Sequence, residues 1–268
     1  PMYLLLGSAR IQGKRYRRQS ELTSIVSTLS ANLPDVPPGI KADERLLGIV
    51  RMNRHLTGMP CMPGTVQGIY DDTRSFIAAL VQAIDAAQHS VNIEFYIVHD
   101  DPITEPLFAA LERAHKRGVR VALLLDHLGS RRYKAWKKLL KRLNSAGYNW
   151  HLMMPLGFKP DQRGRPDLRN HRKVLVVDGR VAFSGSQNAI HRSYDMPENI
   201  KKGLEWKDLT FSCTGPIVEE LNAIFVSDWY SETNQLILAE INTTIPYYED
   251  GMRAQVVPSG PGFETENN

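Results

Sequence analysis

The sequence predicts an α/β fold, a mixed β-sheet flanked by helices on both faces. Three observations carry that expectation. From residue 66 onward, short apolar or β-branched runs alternate with segments of helical periodicity, and such alternation builds a central sheet. One run, Val119 to Leu125, is apolar but for Arg120, as in a strand covered on both sides. An Asp178-Gly179 dipeptide joins two strand-like runs, and a hairpin there makes the sheet mixed rather than wholly parallel.

Taken in order, residues 19–45 hold a possible short helix at Leu22–Leu29 and then Pro34, Pro37 and Pro38, the composition of a linker. Residues 46–56 suit a helix with Leu46, Leu47, Val50 and Leu56 on one side. Val66 to Tyr70 reads as a strand. Asp71-Asp72-Thr73 can cap the next helix, whose buried stripe is Phe76, Ile77, Leu80, Val81 and Ile84. Val91 to Val98 is a strand. Ile103 to Lys116 is a helix closed by Gly118. After the Val119–Leu125 strand, Arg131 to Ala146 is a helix closed by Gly147, and Asn149 to Met154 a strand. A polar loop over 157–169 leads to the hairpin. Trp206 to Cys213 is a strand and Ile217 to Trp229 a helix. Ala254 to Val257 is strand-like.

The totals bound the function. The chain of 268 residues is 42% hydrophobic, ample for one large domain or two small ones. A net charge of +4 and a pI near 9.0 make an anionic partner plausible without requiring one. Cys61 and Cys213 lie far apart in apolar surroundings and read as free thiols in a reducing compartment. No run of about twenty apolar residues is present, so no complete transmembrane helix is expected. The apolar stub Pro1 to Gly7, followed by Arg10, Lys14, Arg15, Arg17 and Arg18, has the composition of the cytoplasmic edge of a membrane span. A basic surface helix with a few exposed leucines would give the same pattern.

The stretch Asn170 to Ala189, NHRKVLVVDGRVAFSGSQNA, carries the chemistry. With a two-residue turn at Asp178-Gly179, Lys173 falls opposite Ser184 and His171 opposite Ser186. His171, Lys173, Ser184 and Ser186 then share one face, with Asn188 beyond the strand end. Val174, Val176, Val181 and Phe183 face a core. An imidazole, an ammonium, a hydroxyl and an amide on one spot suit a phosphate: lysine gives a point charge, Ser and Asn neutral donors, and histidine a nucleophile or acid/base near neutral pH. Asp178 sits at the turn, away from that face, and reads as structural.

Other groups have weaker claims. Asp126 ends a strand, where α/β folds place their crevices. Glu94 is mid-strand and needs a buried partner. Either can serve as a structural acceptor. Asp208 can orient an imidazole through its second N–H, or form a surface ion pair. Residues 131–142, RRYKAWKKLLKR, hold seven basic residues and no acid, with Tyr133, Trp136, Leu140 and Leu143 at helical spacing. We expect the apolar stripe in the core and the basic face available to lipid. The loop residues Lys159, Arg163, Arg165, Arg169 and Arg172 can hold headgroups or a nucleic-acid backbone, or simply be solvated. The remaining histidines show no zinc-ligand spacing and no Gly-rich nucleotide loop is present, so a reaction without metal or cofactor is favoured.

The spacing H-x-K-x4-D-x6-G-S-x-N resembles the phospholipase D superfamily signature at every fixed position: His171, Lys173, Asp178, Gly185, Ser186 and Asn188. That resemblance implies a phospholipase D-like fold and a catalytic role for His171, Lys173 and Asp178. SVNIEFYIV, LLLDHLGS, RNHRKVLVVDG, EWKDLTFSCTGP, SDWYSET and VVPSGPG further resemble bacterial cardiolipin synthases, in that family's order. The family resemblance implies two such signatures facing each other across one site. This sequence has one, and no second H-x-K.

The expected organisation is a membrane-proximal basic segment and linker over 1–45, the signature-bearing domain over 46–252, and the start of a second half or a tail over 253–268. The implied reaction joins two phosphatidylglycerol molecules into cardiolipin through a phosphohistidine, at a bacterial inner membrane with the catalytic domain on the cytoplasmic side. The implied partners are anionic phospholipid, a membrane surface, and a second signature half in the same chain or a homodimer mate. The alternatives are a nuclease or phospholipase of the same superfamily working as a homodimer, and an inactive membrane-binding half-domain. The apolar-basic N-terminus argues against nucleic acid.

Overall fold

The computed structural model describes residues 17–18, 20–21, 24–25, 28, 30–36, 43–157, 167, 169–237 and 251–259. The expected helix at Leu22–Leu29, the N-terminal stub, most of the 157–169 loop and the final residues lie wholly or largely outside them. The chain forms two compact units. One comprises Pro1–Val66, Leu156–Asn170 and Thr214–Asn268; the other comprises Gln67–Pro155 and His171–Cys213.

The element order is α1 (Glu44–Thr57), β1 (Met62–Tyr70), α2 (Thr73–Ala86), β2 (Ser90–Phe95), α3 (Glu105–Lys116), β3 (Arg120–Asp126), α4 (His127–Arg131), α5 (Trp136–Ala146), β4 (Asn149–Met153), β5 (Lys173–Val177), β6 (Val181–Gly185), α6 (Pro197–Lys202), β7 (Thr210–Thr214), α7 (Ile217–Thr233) and β8 (Met252–Ala254). The strands run in the order β4-β3-β2-β5-β6-β7-β1-β8. β2, β3 and β4 are parallel, while β5 is antiparallel to both β2 and β6. The sheet is mixed, as the hairpin requires, and the class is α/β.

In the second unit, α2 begins where expected. Asp72 accepts from the Arg74 and Ser75 amides at 2.8 and 3.0 Å, satisfying donors that the first turn leaves open. α2 and α3 lay Phe76, Leu80, Leu107 and Leu111 on one sheet face, against Ile93, Leu123, Leu175 and Val177, and α5 adds Leu139 and Leu143. The other face is buried as well: Glu94, Leu124 and Ala182 are fully covered, and Val174 and Val176 nearly so. In the first unit, β8 pairs with Met62–Gly64 at the start of β1. Glu220 of α7, buried there, accepts from the Val256 amide at 2.9 Å. Burial pushes its carboxyl up to about 8.

Several expectations need correction. The 131–146 helix is broken: α4 stops at Arg131 and α5 starts at Trp136. The inward residues of α5 are Leu139 and Leu143, and Leu140 is only partly covered. The Trp206–Cys213 strand begins only at Thr210, and Trp206 is 57% exposed. The short helix α6 carried no strong periodic signal. Cys61 and Cys213 are free, buried thiols, as expected, and burial pushes both up, Cys213 to about 11.

The hairpin corrects the sequence reading most usefully. Asp178 and Gly179 both take positive φ, 52° and 63°, and the Arg180 amide donates to the Val177 carbonyl at 2.9 Å. Yet the ladder pairs Val177 with Val181, one residue further along, so Leu175 meets Phe183 and Val174 meets Ser184. A one-residue slip moves β6 side chains to the opposite face. Phe183 therefore shares the Lys173 face, and Ser184 does not.

Candidate active site

The site lies at the open end of the hairpin, where β2 ends beside the start of β5. Phe95 is paired with Lys173, so the residue after β2, Tyr96, falls next to the residues before β5. The Tyr96 and His171 rings lie with centroids 4.0 Å apart, and His171 is exposed. The Lys173 ammonium hangs 5.4 Å from the same Tyr96 ring and donates to the main-chain carbonyl of His171. Tyr96 is thus a common floor for both signature side chains.

Lys173 leaves an apolar end of the sheet. It lines a small cavity with Phe76, Phe95, Leu175, Phe183, Gln187 and Thr210. That desolvation lowers its ammonium to about 8, against the opposing pull of Asp208 and Glu94. The fully buried Glu94 neighbours Val174 on the other face.

The other signature residues are tied to the frame. The Asn188 carbonyl oxygen accepts from the Ile97 amide, and its amide nitrogen donates to the Tyr194 hydroxyl, both at 3.0 Å. The Ser186 hydroxyl accepts from the Leu209 amide at 3.0 Å and points its hydrogen at the Leu209 carbonyl across 3.4 Å, the outer limit of a hydrogen bond. Gly185 explains its own identity: a Cβ there would stand 2.2 Å from the Leu209 carbonyl oxygen and 2.6 Å from the Thr210 Cα. Asp178 sits at the turn, at the other end of β5, and accepts from the Gln88, His89 and Ser90 amides at 2.9, 2.8 and 2.7 Å. These three donors hold its carboxyl below the usual range despite the burial that opposes them. Its contacts are those of a clamp on the entry to β2.

Asp126 caps α4, accepting from the Gly129 amide at 2.7 Å. The next residues then shape the floor. A Cβ on Gly129 would lie 2.4 Å from the Tyr96 carbonyl oxygen and 2.9 Å from its ring, and Ser130 accepts from the Val98 amide at 3.0 Å. Asp208 acts electrostatically on both Lys173 and Tyr194. Arg169 is buried, and Lys159, Arg163 and Arg165 lie outside the described residues.

The residues that sequence reasoning missed are Tyr96 and Tyr194. Tyr194 and Asp195 both adopt positive φ, 55° and 48°, uncommon for such side chains and often found at functional sites. Burial raises the Tyr194 phenol. The expected strand runs on to Val98 and so hides Tyr96, which in the structure follows the end of β2 at Phe95.

An exposed imidazole and a desolvated ammonium share an aromatic floor, presented by a β-hairpin in a mixed sheet, and together they could face an anion. The family model described as cardiolipin synthase, PLD-like domain, matches residues 80–229. The chain belongs to that family. It is 27% identical over 267 residues to cardiolipin synthase A of Wigglesworthia glossinidia brevipalpis, covering 97% of this chain and 53% of that protein. Against cardiolipin synthase A of Erwinia tasmaniensis the identity is 31% over 215 residues, covering 77% of this chain and 42% of that one. The chain spans about half the length of the curated relatives it matches. Among solved structures, NucT from Helicobacter pylori aligns with a TM-score of 0.46 at 18% identity, over 63% of this chain and 98% of that one. Nuc from Salmonella typhimurium gives 0.44 and 20%, over 63% and 96%.

Proposed function

We propose that this chain supplies one half of the active site of a phosphatidyl transferase that makes cardiolipin from two phosphatidylglycerol molecules. The observation that carries it is the seating of His171 and the Lys173 ammonium on one Tyr96 ring at the exposed end of the hairpin. In this reading residues 46–252 are the catalytic half, 1–45 the membrane-proximal segment, and 253–268 the approach to a second half. The enzyme works at the bacterial inner membrane with this half on the cytoplasmic side.

A ring nitrogen of His171 attacks the phosphodiester phosphorus in line. A P–N bond forms and the P–O bond to the departing glycerol breaks. A histidine of the second half, in the same full-length chain or a homodimer mate, gives that alkoxide its proton. The hydroxyl of a second phosphatidylglycerol then yields its proton to the same histidine, attacks phosphorus and expels His171. Cardiolipin and glycerol result. Lys173 faces the non-bridging oxygens as a cation. Asn188 adds the second hydrogen of its amide, the first being held by Tyr194, and Ser186 can turn its weakly held hydrogen toward the same oxygens. Asp208 orients the imidazole, while Asp178, Asp126 and Glu94 hold the frame.

The test is turnover of phosphatidylglycerol vesicles by the complete protein, with DNA cleavage assayed alongside. Formation of cardiolipin and glycerol, lost in His171→Asn, is the expected result. DNA cleavage without lipid turnover would overturn the reading.

A further inference from the structure

We propose that the surface around His171 is a docking face for an anionic lipid bilayer, made of an apolar rim over residues 196–209 and a cationic rim on and before α5. It rests on the reading of the substrate as a membrane phospholipid. The apolar rim is unusual for a water-facing surface. Met196, Ile200, Leu204, Trp206 and Leu209 are 44–57% exposed within one short stretch. Tryptophan with flanking lysine suits the headgroup level, where an apolar ring and a polar tip are both accommodated. Lys202 pairs with Glu198 and Arg192 with Glu205, but Lys201 and Lys207 make no ion pair among the described residues.

The cationic rim arises because α5 spends only part of its charge on the protein. Lys138 and Arg142 are taken by Asp100, Glu105 and Glu112. Arg131, Lys134, Lys137 and Lys141 are exposed and make no ion pair among the described residues. The two rims border one site, each through a tyrosine. Trp206 packs 5.7 Å from Tyr194, which is bonded to Asn188. Tyr133, just before Lys134, packs 5.4 Å from His99, whose amide donates to the carbonyl of Ala189, next to Asn188, at 2.9 Å. A second copy fits this face less well, because pairing it with itself about a two-fold axis would bring the uncompensated cations together.

The test is flotation of the full chain with phosphatidylcholine vesicles, with and without phosphatidylglycerol. Binding should need phosphatidylglycerol and weaken with salt. Charge reversal at Lys134→Glu, Lys137→Glu and Lys141→Glu together should weaken it at least about tenfold. Ile200→Ser with Leu204→Ser and Trp206→Ser should weaken it comparably, with melting curves confirming the fold. If the apolar variant misfolds, the charge-reversed one decides. Vesicle binding equal to the parent's overturns the proposal. So does a change confined to dimerisation in analytical ultracentrifugation, which would give the face to a second copy. Binding is read without turnover, so a chain that docks but transfers nothing refutes the proposed reaction and leaves the docking face standing.

Discussion

His171 and Tyr96 lie with ring centroids 4.0 Å apart and planes inclined by 43°, although 75 positions separate them in sequence (171 − 96). The antiparallel pairing of β2 with β5 creates that contact, because it sets the carboxyl end of one strand beside the amino end of the other. Tyr96→Ala should therefore lower kcat by about tenfold or more through misplacement of the imidazole. Tyr96→Phe, which keeps the ring, should retain most of it. Steady-state kinetics on the complete enzyme checks both, and a Phe variant as poor as Ala would assign the hydroxyl a direct role.

Lys173 gives a pH prediction. Its ammonium is lowered to about 8, so the charged form, which we propose grips phosphate, is lost as pH rises through that value. Phosphate binding by the free protein should weaken from about pH 8 upward, with the midpoint moving higher at saturating ligand, because the anion stabilises the cation. The stability sign is opposite. The unfolded lysine keeps its proton to about 10.4, so between the two values the unfolded state binds more protons and stability rises with pH. Titration calorimetry and melting curves from pH 7 to 10, compared with Lys173→Gln, separate the two effects.

Asp178 should behave as a clamp. Asp178→Ala removes an acceptor from the Gln88, His89 and Ser90 amides and should cost roughly 2 kcal/mol of stability, a modest figure because the carboxylate is half-exposed. Its folded carboxyl titrates below its unfolded value, so its stabilisation is present above the unfolded value and lost as pH falls through the folded one. Chemical denaturation measures the cost. Turnover per folded molecule should change little.

Gly185→Ala should damage the site more than the hairpin. The added methyl meets the Leu209 carbonyl and the Thr210 Cα, so β7 must move, taking with it the Leu209 contacts of Ser186 and the neighbouring Asp208. We expect a marked loss of kcat with a smaller loss of Tm. Unchanged kinetics would show that the close approach is dispensable.

Much of this was legible in the sequence because local rules wrote it. Asp72 announced a helix start, Gly147 a stop, and Asp178-Gly179 a turn with two positive φ values. The spacing of His171 and Lys173 also pointed to the candidate site, and the fold brings both side chains onto the Tyr96 ring. What escaped was set by long-range pairing. The turn residues were right, but the ladder closes one residue later, which the alternation of Val, Ala and Phe on two buried faces could not reveal. Tyr96 and Tyr194 were invisible because their roles depend on which strand ends meet. The expected Trp206–Cys213 strand took in Trp206 and Leu209 of the apolar rim, because apolar composition does not say which side chains remain in water.

The most direct measurement is a rapid acid-free quench of the complete enzyme turning over phosphatidylglycerol, followed by mass spectrometry of its peptides. We expect a phosphatidyl adduct on His171 that disappears in His171→Asn and forms equally well in EDTA. Full turnover by His171→Asn, or turnover that EDTA abolishes and added divalent metal restores, would contradict that expectation.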